Sequence, residues 1–286
     1  MGLNRSAVRD VSYSSTAKSL RKRVFIRSLE NATGRLKVIR RLRGIDEELQ
    51  AGRNFWDAMT ERYRLRLDVM SGSLDNIPRE GPLVVLSNHP YGILDGLMMG
   101  HILSQTRGDF RILAHRVFSK ANDISDHILP ISFDETREAV ALNLQTRKKA
   151  LEYLGQGGAV GIFPGGSVSS PQRPLGFPMD PVWRTFSAKM IAKSGATVVP
   201  MFFEGHNSRR FQVVGHYNKT VRTALLISEF KRRLNRPVRV AIGEPLDQDA
   251  LDAYVKDPKA MMDFLRTKTY ALSPKPVKYD EYGKDF

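Results

Sequence analysis

Hydrophobic and polar positions recur along this chain with two periods, and the switches between them mark out its elements. From Leu20 to Leu42 apolar and basic residues interleave with a helical period that breaks at Gly34. Asn54 to Tyr63 continues as helix, after which "YRLRLDVMSG" alternates like a half-buried strand. "SLDNIPREG" is a turn-rich link. Short apolar runs then follow at Leu83–Leu86, "FRILAH", "AVGIFP", "TVVPMFF" and "RPVRVAIGEPL", each reading as a strand. Helical patterns separate them at Ile93–Leu103, Thr136–Leu154, Trp183–Gly195 with Gly195 as its C-cap, and Ala250–Leu265. This alternation predicts an α/β fold, a mostly parallel central sheet flanked by helices, with a basic amphipathic N-terminal helical extension. The expected division is an extension over residues 1–70 and a main domain over 71–286. Residues 1–19 are Ser-rich without periodicity, and no internal repeat is visible.

A chain of 286 residues buries one substantial core, and 41% hydrophobic with 9% aromatic residues fits a globular protein. The absence of cysteine excludes disulfides, Fe–S ligation and a thiol nucleophile, and fits a reducing compartment. A net charge of +15 calls for an anionic partner, and its placement narrows the choice. Residues 1–45 hold twelve Lys/Arg against two Asp/Glu, and residues 205–240 hold nine against one, which leaves the rest slightly negative. No run reaches the roughly 18 apolar residues of a membrane span, and no apolar signal region opens the chain, so a protein neither spanning nor secreted is expected. "MGLNRS" matches the permissive myristoylation pattern. A basic amphipathic helix such as 20–42 tends to lie on anionic membrane, its long cationic stems bridging apolar and charged layers. The alternative for it is a solvated helix packed on the domain.

"NHPYGILDG" offers the first candidate chemistry. His89 follows a buried strand and precedes a helix, at the sheet edge where α/β folds place ligands. If Asp95 folds back on the imidazole it fixes one ring nitrogen as donor and leaves the other as a base. Otherwise Asp95 offsets the helix dipole and His89 bonds backbone. "FPGGSVS" is a glycine-bearing loop whose N–H groups at Gly165, Gly166 and Ser167 can cradle an oxyanion or phosphate. After the strand "TVVPMFF" comes a polar cluster of Glu204, His206, Asn207, Ser208 and Arg209, with Arg209 or Arg210 offered to a phosphate or carboxylate. In "GFPMDPVWRTF", Pro, Trp and Phe line an apolar channel or simply pack.

Other readings carry less. "GQGGAVG" precedes its strand and lacks dinucleotide-loop spacing. "GGSVS" lacks the closing glycine of a nucleophile elbow, which leaves a Ser167 hydrolase as an alternative. A second alternative, a basic nucleic-acid-binding protein, lacks the aromatic interleaving of a stacking platform. No metal-ligand spacing occurs, and neither metal nor cofactor is expected.

"NHPYGILDG" resembles the first motif, N-H-x4-D, of the phospholipid/glycerol acyltransferase superfamily, whose members include the lysophosphatidate acyltransferases. Its H-x5-D spacing is closer to the variant branch that includes hemolysin-like acyltransferases. Further blocks occur in order over roughly Ser73 to Leu246. "RILAHRVF" stands at the second, where His115 or Arg116 is the implied acceptor-recognition residue. The third, usually F-P-E-G-T-R-S, is here Phe163 to Ser169: Phe163, Pro164, Gly166 and Ser169 match, while Gly165 replaces the glutamate and Val168 the arginine that help bind a glycerol phosphate. Pro200 matches the fourth block, and Glu204 beyond it is a candidate for the lost charge. The resemblance implies transfer of an acyl group from an acyl thioester, acyl-ACP or acyl-CoA, to the hydroxyl of a lyso-lipid, with His89 as general base and Asp95 orienting it. Loss of the charged pair points to an acceptor other than lysophosphatidate, such as a lyso-amino-acid lipid. Peripheral attachment to anionic lipid at the cytoplasmic face of the cell membrane is expected, and no nucleic-acid partner.

Overall fold

The structure is a computed structural model that describes residues 12–17, 19–120, 123–134, 136–278 and 280–286. The myristoylation pattern and most of the Ser-rich start lie outside the described residues; Tyr13–Thr16 form a short 3-10 turn. The strands are β1 (Arg66–Ser71), β2 (Leu83–Ser87), β3 (Arg111–His115), β4 (Ile128–Ile131), β5 (Ala159–Ile162), β6 (Thr197–Phe203) and β7 (Pro237–Ile242). They form one sheet in the order β1-β7-β6-β2-β5-β3-β4. Every pairing is parallel except β6 with β7. The α/β class and mostly parallel sheet expected from the sequence are therefore present.

β2 is buried along its whole length, and its residues sort by parity. Leu83 and Val85 join one core with α4 (Phe55–Tyr63), α5 (Ile93–Thr106) and α9 (Lys219–Arg233), through Trp56, Met98, Met99, Ile227 and Phe230. Val84 and Leu86 face the other core, with α6 (Arg137–Gly155), α7 (Phe186–Ser194) and α11 (Pro258–Tyr270), through Ala150, Leu154, Met190, Met261 and Leu265. Alternate side chains of a strand point to opposite faces, so a continuous apolar run is what a sheet covered on both sides requires.

The expected boundary after residue 70 falls inside β1, which pairs with β7. Val38, Leu42, Ile45, Trp56 and Tyr63 belong to the same core as Leu83 and Ile102. Residues from Val38 onward thus share the core that covers the sheet's first face. The break at Gly34, φ 143°, divides α1 (Leu20–Thr33) from α2 (Arg35–Arg40). α1 lies along α9, where Lys231 Nζ donates to the Thr33 carbonyl at 2.7 Å. The two basic blocks, distant in sequence, thus lie side by side.

Candidate active site

Three adjacent parallel strands, β5, β2 and β6, end at the same edge of the sheet and deliver three loops there. Asn88, 3% exposed, ties two of them together: its Nδ2 donates to the Phe203 carbonyl at 2.9 Å and its Oδ1 accepts from the Phe203 N–H at 2.7 Å. This fixes where β2 ends, and His89 follows.

Asp95 Oδ2 stands 3.0 Å from His89 Nδ1. The same oxygen accepts from the Tyr91 and Gly92 N–H groups at 2.8 and 2.9 Å, so Asp95 caps α5 and faces the imidazole at once. The two roles left open by the spacing are therefore one arrangement. Gly92, φ 85°, lets the chain turn back tightly enough for this. Burial pushes the Asp95 carboxyl up from its ordinary value, while His89 and the two N–H groups pull it back down. The imidazole lies on the Phe163 ring, centroids 4.3 Å apart, and its side chain keeps 18% exposure. With Nδ1 facing Asp95, Nε2 has no hydrogen bond to any described residue. That is the geometry of a base oriented by a carboxylate.

The loop 163–170 packs directly on this segment: the Ser169 N–H donates to the His89 carbonyl at 2.8 Å. Gly166 takes φ 71°, and its N–H is engaged by the Phe163 carbonyl at 3.0 Å. Of the three N–H groups expected to cradle an anion, those of Gly165 and Ser167 are without a partner among the described residues, whereas that of Gly166 closes the turn. Ser167 Oγ donates to Asp285 at 3.2 Å and to no imidazole, so nothing activates it as a hydrolase nucleophile.

Two charged residues outside the motifs hold the loop. Asp180 is fully buried; its Oδ1 accepts from the His89 N–H at 3.1 Å and from Ser169 Oγ, and its Oδ2 accepts from Trp183 Nε1 at 3.0 Å. A bridge between Ser170 and Met179 delivers it, and its own N–H donates to Tyr270 Oη at 2.9 Å. A Cβ on Gly165 would lie 3.3 Å from Asp180 Cβ, so the glycine keeps this carboxylate close. Arg222 of α9, stacked between Phe211 and Phe286, donates to the Val168 carbonyl at 2.9 Å and to Ser170 Oγ at 2.6 Å. Burial pulls the Arg222 guanidinium down to about 10. Val168 thus meets an arginine from another helix where the superfamily motif carries its own.

The remaining expected residues divide. Glu204 follows β6, but its carboxylate pairs with Arg239 of β7 at 2.6 Å, and its carbonyl accepts from Tyr91 Oη at 2.9 Å. The charge expected from Glu204 is therefore engaged at the β6–β7 edge, and the carboxylate beside the loop is Asp180. Asn207 is buried, and His206 is exposed with its ring 6.0 Å from Phe177. Arg209 is exposed at the start of α8 (Arg209–Tyr217). Arg116 follows β3, which β5 separates from β2, and it pairs with Asp134 at 3.1 Å. Trp183 is buried at 2% exposure and bonded to Asp180, so it packs instead of lining an open channel. Among the described residues no cluster of three metal-ligating side chains occurs, and no helix is long and apolar enough to cross a membrane.

A family model described as Acyltransferase matches residues 36–276. The chain belongs to that acyltransferase family. The match bears out the superfamily that the motifs resemble, and the enzyme class with it. This acyltransferase is 25% identical to the lyso-glycine lipid O-acyltransferase of Phocaeicola vulgatus, over 79% of the chain and 80% of that protein. It is 24% identical to the protein of the same description from Bacteroides thetaiotaomicron, over 77% and 80%. Among solved structures it is similar to the 1-acyl-sn-glycerophosphate acyltransferase PlsC of Thermotoga maritima, with 16% identity, a TM-score of 0.48, and coverage of 93% of the chain and 87% of that structure. Asp180 and Arg222, which hold the loop, and Asp285, which meets Ser167, are the acyltransferase's loop contacts that motif reading missed. A signal existed for one: a lone acid inside the apolar stretch "FPMDPVW" marks a carboxylate that folding buries.

Proposed function

We propose that the enzyme moves a fatty acyl group from an acyl thioester to the hydroxyl of a lyso-lipid, with His89 as general base. The observation that carries this reading is the 3.0 Å contact of His89 Nδ1 with the buried Asp95, which leaves Nε2 free beside a loop with two unpaired N–H groups. Nε2 takes the acceptor's hydroxyl proton as that oxygen attacks the thioester carbonyl, and Asp95 balances the imidazolium that forms. The N–H groups of Gly165 and Ser167 are the candidates to receive the developing oxyanion. On collapse the C–S bond breaks, and His89 returns the proton to the thiolate of CoA or acyl carrier protein. No cofactor enters this scheme.

A lyso-amino-acid lipid is the proposed acceptor. Val168 offers no cation for a phosphate, and the two curated relatives are described as lyso-glycine lipid O-acyltransferases. The proposed location is the cytoplasmic face of the cell membrane. There the joined basic blocks of α1 and α9 meet anionic lipid, with Leu20, Val24 and Phe25 exposed among the cations of α1. His89→Ala is expected to abolish thiol release while folding and vesicle binding stay intact; near-normal turnover in that variant would sink the mechanism. Charge reversal at Arg21, Arg23 and Arg27 is expected to abolish sedimentation with anionic vesicles, and unchanged sedimentation would remove α1 from the membrane contact.

A further inference from the structure

The glycine loop carries a grip for a negatively charged group that its own sequence does not announce. Arg184 Nη2 donates to Asp285 Oδ2 at 3.0 Å, and Ser167 Oγ donates to Asp285 Oδ1 at 3.2 Å. Both oxygens of one carboxylate are thereby held by one guanidinium and one hydroxyl. We infer that Arg184 and Ser167 form a subsite for the free carboxylate of the acceptor's head group, and that Asp285 competes with the acceptor for it.

The guanidinium is held in position independently of Asp285. The Arg184 N–H donates to the Pro164 carbonyl at 3.0 Å, and the guanidinium lies over the Phe133 ring at 5.1 Å. Gly166 makes room for this: a Cβ there would lie 2.9 Å from Arg184 Nε and 2.9 Å from the Phe133 ring. The subsite is joined to the proposed base through two residues of the same loop. Val168 lies so close to Gly92 that a Cβ on that glycine would be 3.2 Å from it, and Ser169 holds the His89 carbonyl.

The chemistry selects a monoanion. A guanidinium with a hydroxyl matches two carboxylate oxygens, as Asp285 itself demonstrates. A phosphate would draw on a further cation, and Arg222, which also reaches this loop, is engaged with the Val168 carbonyl and Ser170. Displacing Asp285 costs little, because the pair is half exposed on both sides, with 47% and 53% of the side chains accessible. The backbone around Asp285 is anchored separately: the Gly283 N–H donates to the Asp180 carbonyl at 2.8 Å, and Phe286 packs on Arg222. Only the Asp285 side chain has to turn aside.

This inference rests on the lyso-lipid acyltransferase reading, and the test separates the two. The full chain is assayed with three acceptors: N-(3-hydroxypalmitoyl)glycine, its uncharged glycinamide, and lysophosphatidate. The wild-type enzyme is expected to prefer the acid over the other two. Arg184→Gln is expected to cut the acid-over-amide preference in kcat/KM about tenfold and Ser167→Ala about threefold, the scale of hydrogen bonds to a charged group. Asp285→Asn is expected to lower KM for the acid about threefold, since it removes the competing charge. Equal loss of acid and amide turnover in Arg184→Gln, an unchanged or raised KM in Asp285→Asn, or a wild-type preference for lysophosphatidate would overturn the subsite. If no acceptor is acylated, or if His89→Ala retains turnover, the underlying reading falls with it.

Discussion

Replacing Asp95 by asparagine isolates the charge of the proposed catalytic pair. Asparagine has the same shape, and its amide oxygen can take the place of Oδ2 and accept from His89, Tyr91 and Gly92. Its nitrogen then takes the place of Oδ1, which no described group bonds. What disappears is the attraction between carboxylate and imidazolium. At 3.0 Å and an effective dielectric of about 20 that attraction is roughly 5 kcal/mol. Screening reduces it little, since Asp95 is wholly buried and the histidine side chain is 18% exposed. If about half of the proton's charge has arrived in the transition state, the barrier rises by about 2–3 kcal/mol and kcat falls about 100-fold. Stability should not fall in parallel, because asparagine keeps the shape and an acceptor for the Tyr91 and Gly92 N–H groups while removing a charge that burial disfavours. Released thiol, read with a disulfide reagent, measures kcat without background from the enzyme, which has no cysteine. A folded Asp95→Asn enzyme within about threefold of wild-type kcat would refute electrostatic assistance by Asp95.

Three further outcomes follow from particular contacts. Asn88→Ala leaves the buried N–H and carbonyl of Phe203 without their partner and should cost about 2–4 kcal/mol in urea unfolding; a loss below about 1 kcal/mol would mean that the two loops are held by other means. Gly100→Ala drives a methyl to within 2.2 Å of the Trp56 ring and should cost at least about 1–3 kcal/mol; unchanged melting would show that α4 does not seat on α5 at this glycine. Burial raises the Glu30 carboxyl, so its proton stabilises the fold fully below the unfolded value of about 4.3, and that contribution is lost as pH rises through the folded value. The advantage of Glu30→Gln over wild type should therefore grow with pH above about 4.3 and stay level below it; an advantage independent of pH would contradict the raised value.

The α/β class, most strands and the His89–Asp95 spacing were legible in the linear pattern, because period, strand breaks and helix caps are local properties. Continuous apolar runs reported which strands are covered on two faces, and Gly34 and Gly195 marked helix ends by the backbone angles they permit. Helices α8 and α9 escaped notice because their charges read as a basic block, although Ala224, Ile227 and Phe230 are buried at helical spacing. β4 escaped because Pro130 interrupts it, which only an edge strand tolerates. Tertiary structure alone decided what surrounds His89. Asp180 and Arg184, Arg222, and Asp285 come from three separate segments, and no spacing rule links residues that meet only because β5, β2 and β6 end together. Nor could the sequence decide whether the first helices form an appendage. Their apolar faces were visible, but only the sheet's uncovered face shows what they pack on. The sequence thus determined the periodic frame and the placing of His89 and Asp95 about one strand end, while folding chose the partners, because burial and charge pairing depend on distances that the chain order does not contain.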